Sequence, residues 1–488
     1  MCRHWDSPLH NKLVSDLFLL SRKFPELDQV QLQSLERDIQ IVDALVLKIS
    51  SREKDQALHK WKENLSCTKN QIAWIKRKSD AVLRFEAAAH AQATLPEDLH
   101  RHALLPSEVV KQAESEWIPR WTARDTTHDS SNLAQILGSI PPGASGSSDS
   151  WNDKIRDALS PHGLFDRCKK MQGKAPGPDA WQPDKLLLLP WAWWEGLSTL
   201  WQVVLRTGSI PCRWCEAAVV LLPKSSGGVR PLCLTATVWR LGTSVMVAAL
   251  GPWSEQWAAT VVYGGITGRG VLDAHCKLLH ATSDPTSIFV SEDLSIFFDC
   301  INVGQACAVL SHLGAPATLI DLVRSFYSAS RRIFVDRGIC SAQWRTATSG
   351  LMQGCPLSPL IAAAIMRVWA GFVQVDPSIK ALAYLDDRTF WCSHAPSEDS
   401  SVDPDQIVVN ALQGAKHRSN FFDSTFGFSC SADKCHIAGK TGPQATSLSK
   451  ILVTGFLQPL MFWGPSIVLV IHMPQLLVQL LSASVNYA

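Results

Sequence analysis

The stretch Ala383-Tyr384-Leu385-Asp386-Asp387 sets two carboxylates side by side after an apolar, strand-like run over 380–385. A second β-prone run, Arg388-Thr389-Phe390-Trp391-Cys392, follows at once. Two such runs meeting at a tight polar step predict a hairpin with the Asp-Asp pair at its turn. Adjacent like charges repel unless a cation lies between them, so the pair is a candidate metal site. An acidic turn on a solvated surface would account for the same residues. What else the chain brings to that point decides between the two.

A third carboxylate is available. The β-rich run Ile288-Phe289-Val290-Ser291-Glu292 delivers Asp293 at its end, and Asp299 follows six residues on, at the start of a helix. Asp293 meeting Asp386 and Asp387 from a neighbouring strand would hold two divalent cations, the arrangement used for in-line phosphoryl displacement. Mg²⁺ suits such a site because it takes few carboxylates and fills its shell with water and phosphate oxygens. Between the acidic pieces lies Ser349-Gly350-Leu351-Met352-Gln353-Gly354-Cys355-Pro356, a loop leading into an apolar run over 360–369 that reads as a buried helix. Gln353 and Gly354 offer an amide and a bare backbone to a bound nucleotide or template.

Upstream, an apolar strand over 217–222 ends in Pro223-Lys224, Ser225-Ser226-Gly227-Gly228 turns, and Val229-Arg230-Pro231-Leu232 returns. This hairpin carries a cation on each arm. Lys224 and Arg230 can clamp a triphosphate, although an edge hairpin with two surface charges is the plainer account of them alone. Ala175-Pro176-Gly177-Pro178-Asp179 reads as a turn. The glycines over 264–270 have the wrong spacing for a dinucleotide loop and read as a flexible loop with one cation, Arg269. Lys434 stands alone after a helical stretch.

In order along the chain, these pieces resemble a reverse transcriptase of the non-LTR (LINE-type) retrotransposons, over about 174–437. The elements Gln353-Gly354-Cys355-Pro356-Leu357-Ser358-Pro359 and Tyr384-Leu385-Asp386-Asp387, behind Asp293-Leu294-Ser295 with Phe298-Asp299, carry most of the likeness. The resemblance implies an α+β fold: the fingers and palm of a right-hand polymerase, with an antiparallel palm sheet backed by helices. It implies an RNA-directed DNA polymerase that takes an RNA template, a DNA or RNA primer and dNTPs, with two Mg²⁺ ions and Mn²⁺ as the alternative. Asp293, Asp386 and Asp387 would hold the metals, with the Leu294 carbonyl as a backbone ligand. Lys224 and Arg230 would grip the triphosphate, and Phe298 would stack under the sugar and reject a 2′-hydroxyl. Gln353 and Gly354 would line the nucleotide and template pocket, and Lys434 would protonate the leaving pyrophosphate. Phe297 stands where the family usually has a small residue, and its bulk is expected to crowd the sugar pocket.

The elements that must position these groups divide the chain by composition. Residues 1–124 read as helical, with an apolar stripe at Leu35, Ile39, Val42, Val46 and Ile49 and cations among aromatics at Trp61-Lys62, Trp74-Ile75-Lys76-Arg77-Lys78 and Arg84. Residues 125–150 are rich in Pro, Gly and Ser and read as a linker. Residues 151–445 form the expected catalytic region, and 446–488 an apolar tail in place of a full thumb. Pro459, Pro465 and Pro474 argue against a membrane span there, so no membrane partner is expected. With 46 Lys+Arg against 44 Asp+Glu, any basic groove has to be local. Fourteen dispersed cysteines and a charged start without an apolar leader core point to an intracellular protein, nuclear or cytoplasmic, and not a secreted one. The competing expectation is a catalytically inactive remnant that binds nucleic acid.

Overall fold

The computed structural model describes residues 106–122, 130–143, 148–223, 229–284, 286–336, 339–393, 404–431, 434–439 and 469–470. Lys224, the apolar stripe from Leu35 to Ile49 and the cation–aromatic run from Trp61 to Arg84 lie outside them, as does the tail apart from Leu469–Val470.

The described chain is a mixed α+β structure. It begins with helices α1 (Pro106–Thr122), α2 (Ser130–Gly138), α3 (Ser148–Ala158), α4 (Pro161–Lys170) and α5 (Trp191–Thr207). The hairpin expected over 217–232 forms: β1 (Glu216–Pro223) pairs antiparallel with β2 (Val229–Thr235), from Ala217↔Thr235 to Pro223↔Val229. Helices α6 (Thr237–Ala249), α7 (Gly251–Ala258) and α8 (Val271–Thr282) lead to strand β3 (Ile288–Asp293). After α9 (Val303–His312) and α10 (Ala317–Ala329), strand β4 (Arg331–Asp336) joins β1 in parallel, and the short β5 (Ile339–Cys340) and β6 (Arg345–Thr346) pair with β4.

The second sheet carries the acidic residues. Helix α11 (Leu357–Val373) precedes the hairpin of β7 (Ile379–Tyr384) and β8 (Asp387–Cys392); helix α12 (Pro404–Phe426), β9 (His436–Gly439) and β10 (Leu469–Val470) follow. The strand order is β10-β9-β3-β8-β7. Apart from Ser358 and Arg367, helix α11 is apolar, and most of it is buried, as Leu360, Ile361, Ala364, Ile365 and Trp369 are. Pro359 falls in its first turn, where a missing N–H costs little.

Alternation assigns the faces of this sheet. Ile288 and Val290 of β3 join the main core, whereas Phe289 stacks on Trp391 of β8, centroids 5.6 Å apart, under helix α8. Asp293 shares the face of Phe289. Glu292 shares the opposite face and meets Arg388, Lys416 and Ser419. Arg388 Nε donates to Glu292 at 2.8 Å, and its two terminal nitrogens fork onto Asp423 at 2.7 and 2.5 Å. Ser419 donates to Glu292 at 2.8 Å, and Lys416 forms an ion pair with it. Against the upward push of burial, Lys416 and Arg388 hold the Glu292 carboxyl down at about 2.

Residues expected to form a linker take part in the same core. Ile136 and Ile140 are buried, and Leu133 and Leu137 pack beside them. Trp117 and Trp121 of α1 also belong to it. Among the described residues, no helix is long and apolar enough to cross a membrane.

Removing one member of a buried charge network strands the others. Arg388→Met is expected to destabilise the protein by about 3–5 kcal/mol, read from denaturant unfolding, because Asp423 and Glu292 stay buried without it.

Candidate active site

The expected hairpin is present, with its turn one residue earlier than expected. Tyr384 pairs with Asp387, so the two loop residues are Leu385 and Asp386, and Asp387 opens the second strand. Leu385 takes the left-handed conformation, φ 56°, which a two-residue hairpin loop demands at its first position. Strand β3 lies on the other side of β8 with Asp293 directly opposite Asp387. The Leu294 N–H donates to the Asp386 carbonyl at 3.2 Å, fastening the turn to the end of β3. Asp293, Leu294, Asp386 and Asp387 therefore come together at one end of the sheet.

The turn is held from outside as well. Val262 bridges to Ala383, the Tyr263 N–H donates to the Ala383 carbonyl at 3.0 Å, and the Ala383 N–H donates to Val261 at 2.8 Å. Gly264 then passes so close that a Cβ there would lie 2.7 Å from the Leu385 nitrogen. The segment expected to be a flexible loop is thus packed against the hairpin. Its cation is committed too: Arg269 donates to the Val262 carbonyl at 2.7 Å and pairs with Glu255.

Electrostatically the site is crowded. Burial and the neighbouring carboxylates of Asp386 and Asp293 push Asp387 up to about 8, and Lys434 partly opposes them. The Lys434 ammonium lies 3.1 Å from Asp293 Oδ2, an oxygen that also accepts from the Ser431 hydroxyl at 3.0 Å. Ser431 and Ser295 hydroxyls sit 2.7 Å apart, and the Ser431 N–H donates to the Asp293 carbonyl at 2.8 Å. Lys434, which sequence placed near a leaving group, is therefore a counter-ion to Asp293 in this state. The donor chemistry fits a hard divalent cation: all-oxygen carboxylates, one of them pushed up by burial and by its acidic neighbours. Among the described residues, no three His, Cys, Asp or Glu side chains are grouped closely enough to hold a metal ion as they stand.

The remaining expected residues surround this end of the sheet. Phe298 is half-buried, and its carbonyl accepts from the Leu351 N–H at 2.7 Å. Phe297, expected to crowd a sugar, is 2% exposed and packs edge-on to Phe428 at 5.0 Å, so its ring belongs to the core. Gln353 is half-buried, and its amide nitrogen donates to Asp299 at 2.9 Å. Its main-chain carbonyl accepts from the Cys233 N–H at 2.6 Å, and Gly354, φ 118°, lies where a Cβ would meet the Cys233 carbonyl at 2.5 Å. The Gln353-Gly354 loop is in this way stitched to β2, the strand of Arg230. Arg230 stands opposite Leu222, one pair in from Pro223↔Val229, the pair at the connected end of the hairpin.

Two groups went unnoticed in the sequence: the Glu292–Arg388–Asp423–Lys416 network behind the acidic pair, and Trp121, which donates to Asp299 at 2.8 Å. Burial pushes the Asp299 carboxyl up, and the Trp121 and Gln353 donors counter it. The only sequence signal for Arg388 was its place in a strand next to Asp387, on the opposite face.

Comparison with known proteins gives a match over part of the chain. Residues 222–449 match the family described as reverse transcriptase (RNA-dependent DNA polymerase). The chain carries a reverse transcriptase domain. Asp293, Asp386, Asp387 and the other expected site residues all lie inside that domain. The chain is also similar to the retrovirus-related Pol polyprotein from type-1 retrotransposable element R2 of Nasonia vitripennis, 23% identical over 257 residues. That match covers 48% of this chain and 23% of the relative, so the chain spans under a quarter of the relative's length.

The close approach of the reverse transcriptase domain's Gly264 to its acidic hairpin is testable. Gly264→Ala is expected to cost about 1–3 kcal/mol in denaturant unfolding, since the Cβ meets backbone. Gly138→Ala, with nothing within 4 Å, is expected to be neutral or slightly stabilising in the same measurement.

Proposed function

We propose that the chain is an RNA-directed DNA polymerase of the non-LTR retrotransposon kind, extending a primer 3′-hydroxyl on an RNA template. The observation that carries this reading is the register that sets Asp293 opposite Asp387 with Asp386 in the adjoining turn. Three carboxylates on one end of a supported sheet can hold Mg²⁺ or Mn²⁺, with the Leu294 carbonyl as a further ligand. When bound, such cations make a hydroxyl a better nucleophile and neutralise triphosphate charge.

The protein's own groups do the rest. Asp293, Asp386 and Asp387 fix the place of the reaction at the sheet end. Arg230, together with Lys224, is assigned to the triphosphate, where a guanidinium can fork onto two oxygens. Phe298 is assigned to the sugar, and Gln353 with Gly354 to the base and template. Lys434, 3.1 Å from Asp293 in this structure, is assigned to proton donation to the departing pyrophosphate.

Primer extension on an RNA template with Mg²⁺ tests the reading. The chain is expected to incorporate dNTPs, and Asp386→Asn and Asp387→Asn to reduce incorporation to background with RNA binding retained. RNA binding is expected to weaken steeply with added salt, because phosphate contacts release counterions. A second reading, a remnant that binds nucleic acid without polymerising, draws on the Lys434 ammonium held at Asp293. Salt-sensitive RNA binding without incorporation in either Mg²⁺ or Mn²⁺ would favour it.

A further inference from the structure

We infer that Trp121 and Asp299 are positioning residues for the nucleotide pocket, so that helix α1, outside the matched residues 222–449, is a working part of the site. This rests on the polymerase reading above.

Asp299 is 3% exposed and follows Phe298 directly. Its two oxygens are divided between two donors. Oδ1 accepts from Trp121 Nε1 at 2.8 Å, and Oδ2 accepts from Gln353 Nε2 at 2.9 Å. A carboxylate can only accept, so it selects the NH₂ end of the Gln353 amide and leaves the carbonyl end as the one it does not hold. The carboxylate plane is fixed in turn by Trp121. That indole is 1% exposed, stacks on Phe334 with centroids 5.4 Å apart and planes 6° apart, and lies 4.4 Å from the Arg332 guanidinium. It has no room to swing.

The main chain of Trp121 acts on the same loop. Its carbonyl accepts from the Thr348 and Ser349 N–H groups, each at 3.0 Å. Arg332, itself 1% exposed, donates to the Gly350 carbonyl at 2.7 Å, and Leu351 N–H donates to Phe298. The run from Thr348 to Gln353 is thereby aligned to Trp121 and to the turn that bears Phe298 and Asp299. Asp293 ends β3, Asp386 lies in the β7–β8 turn and Asp387 opens β8, all outside this loop. Loosening this clamp should therefore weaken nucleotide binding and leave the chemical step largely intact.

The test uses full-length protein. Trp121→Phe keeps a stacked ring and removes only the N–H; Asp299→Asn keeps the shape and turns one acceptor into a donor. Loss of a charge-assisted hydrogen bond is expected to raise the KM for dNTP about tenfold in Trp121→Phe, with kcat and primer–template affinity little changed. Asp299→Asn is expected to do more, and to incorporate ribonucleotides more readily relative to wild type. Melting temperatures alongside separate this from unfolding. An unchanged KM and unchanged sugar selectivity in both variants would overturn the inference, as would an equal fall in kcat at constant KM. If the wild-type chain does not extend primers, the polymerase reading fails on its own. Hydrogen exchange over 348–354 then decides the clamp: faster exchange in Trp121→Phe upholds it, and unchanged exchange overturns it.

Discussion

Asp293 faces Asp387 across one rung of the β3–β8 ladder, and the adjacent rung joins Glu292 to Arg388. Those two rungs point to opposite faces of the sheet, and the rest of the site depends on their staying so. On the open face, like charges repel and burial raises the cost of keeping them ionised. On the core face, Arg388 is fully enclosed by two carboxylates and lies 5.1 Å from the Trp369 ring. A slip of one residue in the ladder would exchange the faces. It would drive an aspartate into the apolar side and carry the guanidinium out of its pocket. The buried network thus penalises the wrong register far more than a purely apolar pair would, and the acidic end inherits that precision.

What could be read from sequence was local. The β7–β8 hairpin, the strand ending at Asp293, the β1–β2 hairpin and the buried α11 each announce themselves by period or by an unbroken apolar run. The partners that complete the site do not. Arg388 reads as one more strand residue, because Glu292 is 96 positions away and Asp423 is 35. Trp121 and Asp299 are separated by 178 positions, and nothing in either neighbourhood points to the other. Gly264 was legible as a glycine but not as a close approach, since the backbone it touches comes from a distant hairpin. Helix α2 is a different case. Leu133, Ile136, Leu137 and Ile140 have helical spacing, and the Pro, Gly and Ser residues after them concealed it.

Two of the four non-glycine residues at positive φ among the described residues flank the acidic site. Leu385 and Ile296 are both non-glycine residues at positive φ, 56° and 46°. One precedes Asp386, and the other lies between Asp293 and Phe298. For a β-branched residue this conformation is an outlier, costing on the order of 1–3 kcal/mol. It persists because the surroundings leave no alternative. After Ile296, the single turn Phe297–Cys300 is closed by the Asp299 N–H on the Ile296 carbonyl at 3.0 Å, with Phe297 sunk among aromatics. At Leu385, the side chain is buried and Gly264 abuts its backbone. Glycine at either position would relieve the torsion but would also remove a side chain and free a backbone that now has one conformation. A site that must hold three carboxylates together against their repulsion gains more from that single conformation than it loses to strain.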